Sequence, residues 1–225
     1  MSISKNLDTI ARCYVERTEA EATALETFAP LDNPGWMTGT PPLVAETTRK
    51  GDWMQTYTGR KFWPLDPRAD EICIEDIAHS LSMQCRYGGH CQRFYSVAEH
   101  SVIMARFVSP ANALWALLHD ASEAYLADVP RPLKRHLAGY KDAEAAVMAA
   151  VCDRFGLPNE MPAEVHAADN RILADEIRQN MSPMEWHGKH DNPLRMMLRF
   201  WPPEKAEAEF LDWFYHLTAE VRAAA

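Results

Sequence analysis

From residue 74 onward, apolar residues recur at spacings of three and four, the period of a helix with one buried face. Ile74, Ile77, Ala78 and Leu81 predict a first helix, punctuated by Gly88-Gly89. A second opens at Ser96, an N-cap residue followed three positions later by Glu99, and runs to about Val108. Pro110 and Asn112 precede a third, which holds LLHDASEAYLADVPRPLK (Leu117 to Lys134) and stops before Pro130. Later segments at roughly 139–156, 162–182 and 203–222 are amphipathic too. Upstream, WMQTYTGRKFWPLD alternates aromatic and Thr positions around Thr58-Gly59, which predicts a small hairpin. Residues 2–28 are helix-permissive but weakly periodic, and Ala29 to Asp52 is rich in Pro, Gly and Thr. The pattern predicts a mostly α fold: a helical bundle with a small β-hairpin over 51–225, preceded by an extension or linker over 1–50. It holds no repeats and no low-complexity tract.

The apolar faces are interrupted at a few positions by groups that ionise. With His119 as the zero of angle on a helix, Asp120 lies at about 100° and Glu123 at about 40°. Leu114, Leu117, Leu118, Ala121 and Tyr125 occupy much of the remaining surface. His100 is followed by Ile103, Met104 and Phe107, so it sits on the apolar stripe of its own helix. Asp169 is flanked by Val165, Ile172 and Leu173, which aims its carboxylate at the core. Taken singly, each has a structural reading. His100 can be a satisfied core histidine, Asp169 an arginine partner, Asp128 a chain-turning residue and Glu123 a solvated helix residue. Two His and two Asp on three inward helix faces are harder to place without a divalent metal, whose remaining positions belong to water and substrate.

Composition narrows the partners. The 225 residues carry 23 Lys plus Arg against 32 Asp plus Glu, a net charge of −9. That balance argues against tracking a long nucleic acid, which needs basic patches to displace counterions. A small phosphorylated substrate, held by one metal and one or two cations, is compatible with it. The N-terminus lacks the apolar core of a signal peptide, and no run approaches a membrane span. Five scattered cysteines (Cys13, Cys73, Cys85, Cys91, Cys152) fit reduced thiols in a cytoplasm.

The order His100, His119-Asp120, Asp169 resembles the HD-domain metal-dependent phosphohydrolases. The strings SVAEHS, HDASEAYLADVPRPLK and AADNRILADEI are similar to the bacterial 5′-deoxynucleotidase branch of that superfamily, over about Asp76 to Gln179. The resemblance implies an HD-domain helical bundle in which His100, His119, Asp120 and Asp169 ligate one divalent metal (Co, Mn, Zn, Fe or Mg). It implies that Glu123 acts on the attacking water and that Asp128 lies near the sugar. An Arg-aromatic pair upstream of the first His serves phosphate binding and sugar discrimination in those enzymes. Here that pair is Arg86-Tyr87, with Tyr where the deoxynucleotidases carry Trp. A homodimer is implied by the resemblance only.

The residue types suit the chemistry. Divalent ions acidify bound water, a nearby carboxylate orients or deprotonates it, and Arg offers a planar fork to phosphate oxygens. Lys134, after the Pro130-x-Pro132 turn, can contact phosphate or stay solvated. The expected function is release of phosphate from (deoxy)nucleoside 5′-monophosphates. The rivals are dNTP triphosphohydrolysis with the same ligands, a nucleotide-binding regulator on an HD scaffold, and a purely structural helical protein. Cyclic-dinucleotide hydrolysis lacks its additional GYP-type motif. Cys85, His90 and Cys91 with His79 depart from zinc-site spacing, and no second pair follows. His187 and His190 sit in a polar segment, while Trp201, Phe210, Trp213 and Tyr215 at helical spacing read as core or a dimer face. There is no Gly-rich phosphate loop.

Overall fold

The structure, a computed structural model, describes residues 49–186 and 190–224. Expectations for 1–48, including Cys13, and for His187 lie outside the described residues. The chain is mostly helical with one small antiparallel sheet. Strands β1 (Met54–Gln55) and β2 (Lys61–Phe62) pair in the register Met54 to Phe62 and Gln55 to Lys61, around the predicted Thr58-Gly59 turn. Gly59 has φ +80°, a conformation that side chains rarely adopt. Two contacts dock the hairpin. Phe62 is buried against the Tyr125 ring at 4.0 Å, and the buried Asp76 carboxylate accepts from the Thr58 N–H at 2.7 Å.

Eight α-helices follow among the described residues. They are α1 (Ile74–Met83), α2 (Val97–Phe107), α3 (Pro110–Leu118), α4 (Glu123–Leu126), α5 (Arg131–Lys134), α6 (Tyr140–Phe155), α7 (Ala163–Asn180) and α8 (Pro203–Ala224). The last three match the predicted segments to within a residue or two. Helix α6 closes where Gly156 takes φ +69°. Helices α1, α2 and α3 pack together and against α8, and α7 lies across α2 and α3. Ile77, Leu81, Val102, Met104, Leu117, Leu118, Ile172 and Phe210 fill the space between them. Among the aromatics left open as core or dimer face, Phe210 is buried, Trp201 and Trp213 pack on the core, and Tyr215 is exposed. Among the described residues, no helix is long and apolar enough to cross a membrane.

One expected element is broken. The third predicted helix, continuous to Pro130, instead stops at Leu118 and resumes as the single turn α4. The cause is a side chain competing with the backbone. His119 Nδ1 lies 2.7 Å from the Ala116 carbonyl. Beyond it the chain winds more tightly, with i to i−3 bonds from Ala121 to Leu118 (3.0 Å), Glu123 to Asp120 (2.9 Å) and Tyr125 to Ser122 (3.1 Å). The 100° step of a uniform helix therefore does not hold between His119 and Glu123.

The N-cap of α2 also departs from its sequence signature in one half. Ser96 Oγ accepts from the Glu99 N–H at 3.0 Å, as a capping box requires. The Glu99 carboxylate, fully buried, does not return to Ser96. It accepts from the backbone N–H groups of Arg199 (2.6 Å), Phe200 (3.0 Å) and Trp201 (2.7 Å), fixing the chain just ahead of α8.

Candidate metal centre

Three helices bring polar atoms to one point. His100 comes from the middle of α2, His119 and Asp120 from the break after α3, and Asp169 from α7. His100 is fully buried and His119 nearly so. Each imidazole is oriented from behind. His100 Nδ1 is 2.8 Å from Glu176 Oε1, and His119 Nδ1 is 2.7 Å from the Ala116 carbonyl oxygen. Both partners are acceptors, so each Nδ1 carries a hydrogen and each Nε2 presents a lone pair. The two Nε2 atoms face each other at 3.2 Å. Two buried acceptors at that distance need a cation or a proton between them.

Carboxylate oxygens complete the group. Asp120 Oδ2 is 3.2 Å from His119 Nε2 and 3.8 Å from His100 Nε2, and Asp169 Oδ1 is 3.9 Å and 3.4 Å from the same atoms. Donors about 2.1 Å from one ion, at angles between 90° and 180°, lie about 3.0–4.2 Å apart. Every one of these separations falls in that window. His100, His119 and Asp169, with donor atoms within 4.8 Å of one another, form a group that could hold a metal ion. The Asp120 and Asp169 side chains keep 21% and 27% exposure, so the face bounded by the two carboxylates is open to incoming molecules. Asp169 thus sits at the rim of the core rather than within it.

Without a metal, a proton takes the central role. Burial opposes charge on His119, but the Asp120 carboxylate and then Asp169 outweigh it and push the imidazolium up to about 9. Burial works against the Asp169 carboxylate too, yet the neighbouring imidazoles hold it down at about 2. A group whose pKa rises on folding binds more protons folded than unfolded. The His119 contribution is therefore fully present below its ordinary 6.5 and lost as the pH climbs to about 9. Metal-free protein is expected to lose thermal stability across that interval, and saturating divalent metal should flatten the loss. Melting curves taken with chelator and with metal check this; a chelated protein equally stable at pH 6.5 and 9 contradicts it.

Glu176 is the site residue that the sequence reading missed. It is fully buried on α7, two turns beyond Asp169 and so on the same face. Its carboxylate orients His100, accepts a hydrogen bond from the Tyr87 hydroxyl, and meets the Arg86 guanidinium at 3.4 Å. Burial opposes its charge, but Arg86 and then His100 hold it down at about 2. Such carboxylate-histidine pairs fix ring orientation and raise ligand basicity. The spacing Asp169-x6-Glu176 was the available signal, though a glutamate in an amphipathic helix reads first as solvated.

Arg86 and Tyr87 lie on the 3-10 turn Arg86–Gly89, where Tyr87 takes φ 60°. Arg86 Nη1 is 3.5 Å from Asp120 Oδ2, so this pair reaches the cluster through Asp120 and Glu176. Lys134 lies 3.6 Å from Glu123 Oε1 and forms a tighter pair with Glu144. Glu123 is buried, and among the described residues its Oε2 has no hydrogen-bond partner. Burial, then the charges of Asp120 and Asp128, push its carboxyl up to about 9, against Arg86 and Lys134. An unpaired buried carboxyl oxygen costs about 1–3 kcal/mol unless water or ligand meets it. Asp128 is half-buried, and burial and Asp120 push its carboxyl up as well. Ala127, between them, adopts φ 66° and ψ 155°, a conformation that costs on the order of 1–3 kcal/mol for a residue with a Cβ. Bonds from the Ala127 N–H to Glu123 O (2.8 Å), from the Tyr140 hydroxyl to Ala127 O (2.9 Å) and from the Asp128 N–H to Gln84 Oε1 (2.8 Å) hold it there.

Of the residues set aside for zinc, His79 is engaged by Glu207 at 3.0 Å and stacked on Tyr57. Cys85 and Cys91 lie beside each other, apart from the cluster.

Two proteins are similar over much of their length. The chain is 44% identical over 126 residues to Escherichia coli YfdR, covering 56% of this chain and 71% of that protein. It is 36% identical over 182 residues to RCAP_rcc00048 of Rhodobacter capsulatus, covering 72% of this chain and 93% of that protein. Both carry the name uncharacterized protein. No family model matches the chain.

Proposed function

The chain belongs to the family of YfdR and RCAP_rcc00048, and for it we propose a metal-dependent phosphohydrolase that releases phosphate from small nucleotides. One observation carries the reading: two Nε2 atoms that face each other and two carboxylates converge near a buried carboxyl with an unmatched oxygen. A structural salt-bridge network pairs its acceptors with donors. This one opposes acceptor to acceptor and leaves an exposed face.

Four ligands, His100, His119, Asp120 and Asp169, would hold one divalent transition metal, a mixed N/O set suited to Mn, Fe, Co or Zn more than to Mg. Such an ion supplies positive charge for phosphoryl oxygens and lowers the pKa of water. The protein supplies the rest. Glu123 would be ionised once a cation fills the cluster, and its carboxylate then takes the proton of the attacking water and returns one to the departing ester oxygen as the P–O bond breaks. Arg86, drawn between Asp120 and Glu176, offers its guanidinium at the edge of the cluster to phosphate oxygens. Lys134 stabilises the Glu123 carboxylate once it ionises. Asp128, presented by the strained Ala127, is the acceptor for a sugar hydroxyl. The substrate class that these groups suit best is a (deoxy)nucleoside 5′-monophosphate.

The test is product analysis. Full-length protein loaded with Mn, Co or Zn is incubated with nucleoside mono- and triphosphates, ribo and deoxy. Inorganic phosphate released from monophosphates is expected. Inorganic triphosphate would move the assignment to triphosphohydrolysis, and no turnover with bound metal and nucleotide would make the protein a sensor.

A further inference from the structure

We propose that Cys85 and Cys91 form a disulfide-modification site that controls the turn carrying Arg86 and Tyr87. The two Sγ atoms lie 3.5 Å apart, and both residues are half-buried within reach of a small oxidant. A disulfide needs about 2.05 Å, so the sulfurs must close by about 1.5 Å. Cys73 is buried against Glu75 and Cys152 is buried in the core, which makes this pair the accessible one among the described cysteines.

Both flanks of the pair are fixed. Cys85 bridges Ser96 in an isolated antiparallel pairing, and the Arg86 N–H donates to Tyr95 O at 3.0 Å. Beyond Cys91, the Gln92 N–H donates to Asn180 O at 2.8 Å, and the Asn180 side chain holds both the N–H and the carbonyl of Arg93 at about 3 Å. The thiols are thus presented to each other by the start of α2 and the end of α7. The adjustable part is the turn between them, where Tyr87, Gly88 and Gly89 take φ values of 60°, 59° and 80°. Closing the sulfurs pulls on that turn, and hence on the Arg86 and Tyr87 contacts to Glu176, the carboxylate that orients His100.

The reaction balances with a small-molecule disulfide such as oxidised glutathione. One cysteine thiolate attacks it, forming a mixed disulfide and releasing one thiol. The second cysteine then loses its proton, attacks the first sulfur and releases the other thiol. Two protein thiols are oxidised and one disulfide is reduced to two thiols. Burial and then Cys85 push the Cys91 thiol up to about 11, which suits Cys91 to the second, intramolecular step.

The consequence for catalysis rests on the phosphohydrolase reading, whereas the chemistry does not. Metal-loaded full-length protein is treated with oxidised glutathione, alkylated, digested without reduction and mapped by mass spectrometry. A Cys85–Cys91 cross-linked peptide, reversed by dithiothreitol, is expected. Two separately alkylated or separately glutathionylated cysteines would overturn the site whatever the activity of the protein. In parallel, phosphate release should fall several-fold on oxidation of the native protein and hold constant in Cys91→Ser. A cross-link with no change in rate overturns the control of the turn.

Discussion

Asp120→Ala is expected to reduce phosphate release by about 10³-fold and to weaken metal binding at least tenfold. Its carboxylate oxygen lies 3.2 Å from His119 Nε2 and 3.5 Å from Arg86 Nη1, so one truncation removes a proposed ligand and an anchor of a guanidinium. Ion-derived charge stabilisation is worth several kcal/mol, and about 4 kcal/mol corresponds to roughly 10³ in rate. The same change removes the largest favourable influence on the His119 imidazolium. The variant without metal should therefore lose less stability between pH 6.5 and 9 than the native protein does. Titration calorimetry for the metal, steady-state rates at saturating metal, and melting curves separate the three effects. Near-native turnover with metal bound would remove Asp120 from the site.

Glu123→Gln is expected to lower turnover by about 10²–10³-fold while leaving metal affinity within a few-fold of native. The amide keeps the shape of the carboxyl and cannot take a proton. Since the native carboxyl is pushed up to about 9 in metal-free protein, the neutral amide resembles its resting state at pH 7. The variant should melt at or above the native temperature, so a rate loss cannot be assigned to misfolding. Unchanged rates across the pH profile would show that the proton is carried elsewhere.

These two residues also mark where the sequence was legible and where it was not. His100 could be read because an imidazole on an unbroken apolar stripe stands out, and α2 is regular around it. His119 and Asp120 could be read as a pair, but their geometry could not be derived from a uniform helix. The His119 side chain takes the Ala116 carbonyl and tightens the next turn, an effect with no sign in hydrophobic periodicity. The position of Glu123 relative to His119 could not be read from the sequence for the same reason. Glu176 was missed because its three partners come from Arg86, Tyr87 and His100, each more than 70 residues away. The sequence offers Arg86 and Lys134 for phosphate contact, but it does not show that Arg86 meets Glu176 or that Lys134 meets Glu144. Pairing of charges across a fold is a tertiary fact, and composition does not carry it.

Glu99 and His100 are consecutive on α2, yet they serve different parts of the fold. One carboxylate ties down Arg199, Phe200 and Trp201, and the next imidazole faces the cluster. Helix α8 contributes no residue to the cluster, but a chain cut ahead of Arg199 would strand a buried anion one residue from His100. The last helix thus works as a keystone, and the stretch from Asn192 to Trp201 is the wrong place to trim this protein or to splice in a partner.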